Sequence, residues 1–480
     1  MLRLLCLIAL VLAAPARADV LPTQTNGASA RADAAVRART ASTHADVAPV
    51  EVDVPLRGVW LLPATRDRSV EIDLFVLAGE RDAGGPAGLA HVLEHIVYAQ
   101  MDRGPDKRTD RPGETVAAAG SMGGHGGQGG AFALPGMTHY TTRVAPERLE
   151  SGLRFVARAL EPLQVDERFL RSEKGVVAQE YNMRVGADPI RGGFEFMRPM
   201  LYGRTPFARS TIGTPPEIAK ATPERLRRFH AEHYVAQNAV LVVSGPVDAA
   251  ALREAVEAAF GDARTGERNT QEWRAADLVR LAPGRAFTRR SFDIRSTREN
   301  RLLRLAFARW DAPEAEPDAL RADVLMAFAA NVVNSALPGS LRRPLQYDAF
   351  VARSLQVTFD RPASGFLETS IVATAEADVP LVELSARLDR TLREASEGLS
   401  DAVFERVRRR MLRLQRRVVE NPALLRVGVR NALAAGADPR PEADRMAVIE
   451  SLSKPEVDAV LRAMANPARS VEFHLNGTAR

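Results

Sequence analysis

The sequence predicts an α+β fold made of two domains of similar plan, and three observations carry that reading. In the first half, Val70-Glu71-Ile72-Asp73-Leu74-Phe75-Val76 alternates with period two, as a half-buried strand does, and Leu89, Val92, Leu93 and Ile96 follow at i, i+3, i+4 and i+7, as on one face of a helix. The strand pattern Ala239 to Val243, ending in Gly245, has a counterpart in Ser470 to Leu475, ending in Gly477. Their separation of about half the chain is too long for a solenoid repeat and suits a duplicated domain. Between the halves, Asp262 to Arg289 is polar, carries Gly and Arg and lacks periodicity, as a linker does.

The 480 residues are 46% hydrophobic and 26% charged, enough for two to three domains at ~150 residues each. A net charge of +5 is slight for this length and does not force nucleic-acid binding. No uncharged apolar run reaches the ~18 to 20 residues of a membrane span. The longest, Leu4 to Ala14, follows Arg3 and precedes Ala16-Arg17-Ala18, the layout of a signal peptide with an Ala-x-Ala cleavage site. Residues 1–18 therefore read as an export signal and the protein as periplasmic. Cleavage would remove Cys6, the one cysteine, so any metal must be held by His, Asp or Glu.

Residues 19–48, rich in Ala, Thr, Ser and Arg, read as a flexible leader, with ordered structure from about Val50. A first domain is expected over 49–264, a linker over 265–288 and a second domain over 289–480. Gly84-Gly85-Pro86 opens the first strong helix. Gly123 to Gly130 reads as a mobile loop, because no Gly-Lys-Ser/Thr follows that would make it a phosphate cradle. Strands are expected near Ala131 to Leu134 and Met137 to Val144, and helices near Arg148 to Leu160 and Asp166 to Arg184.

The chemistry concentrates in His91-Val92-Leu93-Glu94-His95. One helical turn separates the histidines, so both project from one face and can reach one ion at ~2.0 to 2.1 Å. Glu94 lies beside that clamp, where a carboxylate can take a proton from water at the metal. This H-x-x-E-H order is the inverzincin signature. A hydrolytic zinc site needs a third protein ligand, and Glu173 and Glu180, two turns apart on one helix, are the candidates.

These motifs resemble those of the pitrilysin and insulinase-type zinc metallopeptidases, the group that includes the mitochondrial processing peptidase. Thr138-His139-Tyr140 with Val144-Ala145-Pro146, and Leu226, Phe229, His233-Tyr234, Asn238 and the strand to Gly245, are similar to further segments of that family. The resemblance covers about residues 55–260 well and the second half as pattern. It implies two structurally similar α+β domains of the mitochondrial processing peptidase-like metallopeptidase fold, one Zn2+ per chain on His91, His95 and Glu180, Glu173 as an outer carboxylate, and Glu94 as the general base. It also implies an extended peptide substrate added to a sheet edge at Gly130, Ala131, Phe132 and Ala133.

The chain departs from the family at that edge, where Gly130 replaces the usual Asn and Ala133 and Gly136 replace Thr and Asp. It departs again where single-chain members carry an Arg and a Tyr seven apart: Phe350 and Val357 occupy those places, with Arg353 the nearby cation. This implies a heterodimer in which a homologous subunit supplies the Arg/Tyr pair. Two competing readings are a non-catalytic peptide-binding or assembly subunit, against which the intact zinc motif argues, and a nucleic-acid binder. The latter would use Arg406, Arg408, Arg409, Arg410, Arg413, Arg416 and Arg417, which read instead as a solvated helix face with Val407, Met411, Leu412 and Leu414 on its buried side. His230 and His233 alone among the other histidines have ligand spacing, and they read as helix surface.

Overall fold

The computed structural model describes residues 47–64, 67–103, 128–269, 278–281, 286–310, 318–419, 421–434, 436–440 and 442–478. The signal peptide, nearly all of the leader, and Gly123 to Gly127 of the expected glycine loop lie outside these residues.

The first half supplies strands β1 (Ala48–Pro49), β2 (Gly58–Pro63), β3 (Val70–Val76), β4 (Gln128–Ala133), β5 (Thr138–Val144) and β6 (Ala239–Gly245). Its main helices are α1 (Leu89–Arg103), α2 (Leu149–Ala157), α3 (Glu167–Tyr181), α4 (Pro189–Tyr202), α5 (Pro223–His233) and α6 (Ala249–Phe260). The second half supplies β7 (Ala286–Ile294), β8 (Arg301–Arg309), β9 (Ala352–Asp360), β10 (Phe366–Ala375) and β11 (Arg469–Gly477), with α7 (Ala319–Val333), α8 (Leu381–Ser396), α9 (Asp401–Val419), α10 (Pro422–Ala434), α11 (Glu442–Ser451) and α12 (Lys454–Ala465).

The sheets run β1-β2-β6-β3-β5-β4 and β7-β11-β8-β10-β9. Apart from β1 the order is the same: the last strand of each half inserts between a parallel and an antiparallel neighbour, β2 and β3 for β6, β7 and β8 for β11. The two-domain α+β fold read from the repeated strand is therefore present. Gly129 and Gly130 are not loop but part of β4, paired with Thr142 and Thr141. The glycines suit a close approach: a Cβ on Gly129 would come within 2.6 Å of the Tyr98 hydroxyl on α1.

Strand β3 is buried on both faces rather than half-buried. Ile72, Leu74 and Val76 join the core shared with α1, α2 and α6, whereas Phe75 faces a cluster with Val240, Val242 and, from α10, Leu425, Val429 and Leu433. A second-half helix thus covers the outer face of the first sheet, each fully buried aliphatic side chain contributing ~2 kcal/mol. The halves meet again where Met197, Leu201 and Tyr202 of α4 pack on Leu303, Phe307 and Phe473, and Arg198 pairs with buried Glu368 at 2.8 Å. Strand β7 begins inside the stretch read as linker. It is an edge strand with almost no buried side chains, so it lacks the alternation that reveals strands.

Most arginines of α9 behave as a solvated face: Arg406, Arg409, Arg410, Arg413, Arg416 and Arg417 are exposed while Val403, Phe404, Val407 and Met411 are buried. Arg408 departs from the expectation, being half-buried over the Phe404 ring at 4.5 Å and donating to the Leu452 carbonyl. His230 departs from expectation. It is buried, stacks on Tyr234 at 4.6 Å and lies 3.0 Å from the Ala159 carbonyl, and burial pulls its pKa down to about 4.

Beneath the second sheet, fully buried Glu472 on β11 accepts hydrogen bonds from Arg289 (2.7 Å), Arg304 (2.9 Å) and Ser385 (2.9 Å). Burial alone would raise its pKa, but these partners and His474 hold it down at about 2. A carboxylate whose folded pKa is depressed stabilises the fold above its unfolded pKa, and that contribution is lost as pH falls through the folded value. Melting temperature is therefore expected to drop between pH 4.5 and 2, and Glu472→Gln to flatten that part of the profile while lowering stability at pH 7. A Glu472→Gln profile parallel to the parent's in this window would contradict the assignment.

Candidate metal centre and peptide edge

Helix α1 is seated by its apolar stripe, Leu89, Val92, Leu93 and Ile96, each 1% exposed or less. Its entry is fixed by a buried ion pair. Glu80 accepts from the Ala90 amide (3.1 Å) and from Arg209 (2.6 Å), and Arg209 also donates to the carbonyls of Gly85 and Pro86. Gly88, at φ +86° and with Gly213 against it, leaves no room for a side chain. The preceding turn therefore points α1 in one direction, with His91 and His95 on the side from which they meet the acids of α3.

Helix α3 brings the acids. Asp166 caps it through the Phe169 amide (2.7 Å), and Leu170, Glu173, Val177 and Glu180 form its buried stripe. The two carboxylates lie on the core side because they share a face with Leu170 and Val177. Glu180 Oε2 is 3.3 Å from His91 Nε2 and 3.5 Å from His95 Nε2, and the three donor atoms lie within 4.8 Å of one another. Ligands ~2.0 to 2.1 Å from one tetrahedral ion are themselves ~3.3 Å apart, so the two distances from Glu180, and a donor set of two imidazoles and one carboxylate, fit Zn2+. His91, His95 and Glu180 are the one group of this kind among the described residues.

Glu173 Oε2 sits 3.1 Å from His95 Nδ1, the far side of that ring, and so directs its Nε2 to the centre. His91 Nδ1 is buried and has no such partner among the described residues. Glu180 Oε1 is held by Arg184, one turn further on, which the sequence reading did not single out. Burial opposes charge on Glu180, but both imidazoles and Arg184 hold it well below the usual carboxylate range. His95 is the converse: burial pulls its pKa down, yet the neighbouring carboxylates of Glu173 and Glu180 push it up to about 10. Glu94 Oε2 lies 3.7 Å from His91 Nε2, beside the donor set rather than in it. Glu173→Ala is expected to weaken zinc binding ~10- to 100-fold without unfolding the chain, read by competition with a chromophoric chelator.

Among the described residues β4 is the edge of its sheet, pairing with β5 from Gln128↔Arg143 to Ala133↔Thr138. Gly130, Ala131 and Ala133 are part-buried and Phe132 is 42% exposed. Phe350 is exposed, at φ +50°, and Val357 is buried in β9. Arg353 lies 3.5 Å from Glu299. No Arg/Tyr pair stands at these two positions.

A family model described as the peptidase M16 inactive domain matches residues 220–411. The zinc motif and Glu180 lie outside that stretch. An uncharacterized zinc protease of Mycobacterium leprae is 30% identical over 201 residues, 42% of this chain and 42% of its own length, and the Helicobacter pylori zinc protease PqqE is 26% identical over 182 residues, 37% and 38%. The chain spans less than half the length of these two curated relatives. Among solved structures, an M16-like peptidase from Alicyclobacillus acidocaldarius superposes with TM-score 0.71 at 19% identity, over 91% of this chain and 99% of the other. The Escherichia coli periplasmic protease PqqL superposes with TM-score 0.68 at 14% identity, over 89% of this chain and 47% of its own. The chain has the fold of the M16 peptidases, and the matched domain together with relatives named zinc proteases supports the M16, or pitrilysin, family for it.

Proposed function

We propose that this chain is an exported zinc metallopeptidase that hydrolyses peptides or unfolded segments. The observation that carries the reading is the convergence of His91 Nε2, His95 Nε2 and Glu180 Oε2 within 4.8 Å of one another, with Glu94 next to them. Zinc, when bound, supplies Lewis acidity that acidifies a coordinated water and polarises a carbonyl. The chain's own residues do the rest. Glu94 accepts a proton from the attacking water and returns one to the leaving amine. Glu173 holds His95 in the ligating tautomer, and Arg184 anchors the second oxygen of Glu180. Gly130, Ala131, Phe132 and Ala133 on β4, the edge of the sheet among the described residues, offer backbone groups to an extended peptide.

Residues 1–18 direct the chain to the periplasm in this reading, consistent with the periplasmic PqqL among its structural neighbours. A homologous subunit completes the cleft by supplying the Arg and Tyr for which Phe350 and Val357 stand here. The PqqL chain, about twice as long as its match to this one, is consistent with a two-part peptidase. The test is cleavage of an unfolded polypeptide by the zinc-loaded chain, alone and with a co-purified homologous subunit. Cleavage that a chelator stops and zinc restores is expected; none under either condition contradicts the proposal. That second outcome would favour a non-catalytic peptide-binding or assembly subunit, a reading supported by the matched model's description as an inactive domain.

A further inference from the structure

The edge strand is tied through three buried groups to a helix of the other half. The Phe132 ring lies 5.9 Å from that of His139 on β5, and His139 stacks almost parallel on Phe75 at 4.3 Å. His139 is buried, and its Nε2 sits 2.9 Å from Asp73 Oδ1. Asp73, buried in the middle of β3, is in turn gripped by Arg426 of α10, with Nε to Oδ2 at 3.0 Å and Nη2 to Oδ1 at 3.1 Å, while Nη1 of the same guanidinium reaches Glu71 at 2.8 Å. The helix is also seated on the sheet by Leu425, Val429 and Leu433.

A bidentate guanidinium fixes both the place and the plane of a carboxylate. Here that carboxylate fixes one nitrogen of the imidazole on which the exposed aromatic rests. We propose that Arg426 is a positioning residue for the peptide edge: by holding Asp73 it sets the His139 ring, and through it the face that Phe132 and β4 present to an extended chain. The inference rests on the reading of β4 as that edge. It makes the order of a binding strand in one half depend on a helix contributed by the other.

The test is the Kd of a fluorescently labelled unfolded peptide for the full-length protein in the Glu94→Gln background, which leaves the peptide intact. Arg426→Gln is expected to weaken binding about tenfold, in line with the sensitivity of bound geometry to small displacements, with zinc content unchanged. Phe132→Ala should weaken it similarly, and the double variant little more than either single one, because both act on one stack. Arg426→Lys, which keeps the charge but not the fork, should recover only part of the loss. The proposal is overturned if Arg426→Gln lowers the melting temperature yet leaves Kd unchanged well below melting, if the two single effects multiply, or if the parent binds no peptide. Peptide binding without any cleavage would sink the proposed hydrolytic function and leave this inference standing.

Discussion

Glu94→Gln is expected to reduce peptide hydrolysis by ~10²- to 10⁴-fold, the range associated with losing a positioned acid–base group, while zinc content and melting temperature stay near the parent's. The expectation follows from position. Glu94 lies one residue before His95 on α1, and its carboxylate approaches the donor set at 3.7 Å without joining it. An amide of nearly the same shape keeps the packing and the hydrogen-bond reach but cannot accept the proton of the attacking water. The effect belongs in kcat rather than KM, because the lost interaction is made in the transition state. Steady-state kinetics with parallel metal analysis separates the cases: a Glu94→Gln protein that cleaves as fast as the parent rules out this base, and one that has lost zinc makes Glu94 a structural residue of the centre.

Glu180→Ala should act one step earlier. It removes the carboxylate between the imidazoles and leaves two nitrogen donors, so zinc binding should weaken by more than the ~10- to 100-fold expected for an outer partner such as Glu173. The fold should tolerate the change. Leu170 and Val177 keep α3 seated, and Arg184, 45% exposed at its side chain, can turn to solvent once its partner is gone. Chelator competition and circular dichroism on the same samples test this. Equal losses for Glu173→Ala and Glu180→Ala would contradict the division between an outer carboxylate and a ligand.

Helical spacing makes His91 and His95 legible as a pair, one turn apart on a helix whose apolar stripe is plain. It leaves Glu173 and Glu180 as equal candidates, and the preference for Glu180 comes from the family resemblance; that both acids share a buried stripe with Leu170 and Val177 is seen in the structure. Arg184 lies one turn beyond Glu180, but an arginine at the end of a helix carries no local signal of that contact. His230 could have been found from helical spacing, since Leu226, Phe229 and His230 fall at i, i+3 and i+4 and all are buried. Strand β7 was not legible, because an edge strand with two exposed faces has no periodicity to show. Nor was the coupling of Asp73 and His139 to Arg426: it spans more than 350 positions, and no local pattern on α10 says which sheet it covers. The repeated strand did reveal the duplication, because β6 and β11 are each central in their sheets and their sequences carry the signature of burial.

Everything chemical depends on one ion meeting three side chains from two helices. X-ray absorption at the zinc edge of the loaded, full-length protein tests this most directly, with metal content measured on the same sample. The account predicts one zinc per chain with a first coordination sphere of two imidazole nitrogens and light oxygen donors at ~2.0 to 2.1 Å, and a single-imidazole spectrum, or no zinc, for His95→Ala. Zinc retained with an unchanged spectrum in His91→Ala, His95→Ala and Glu180→Ala alike would place the metal elsewhere and contradict it.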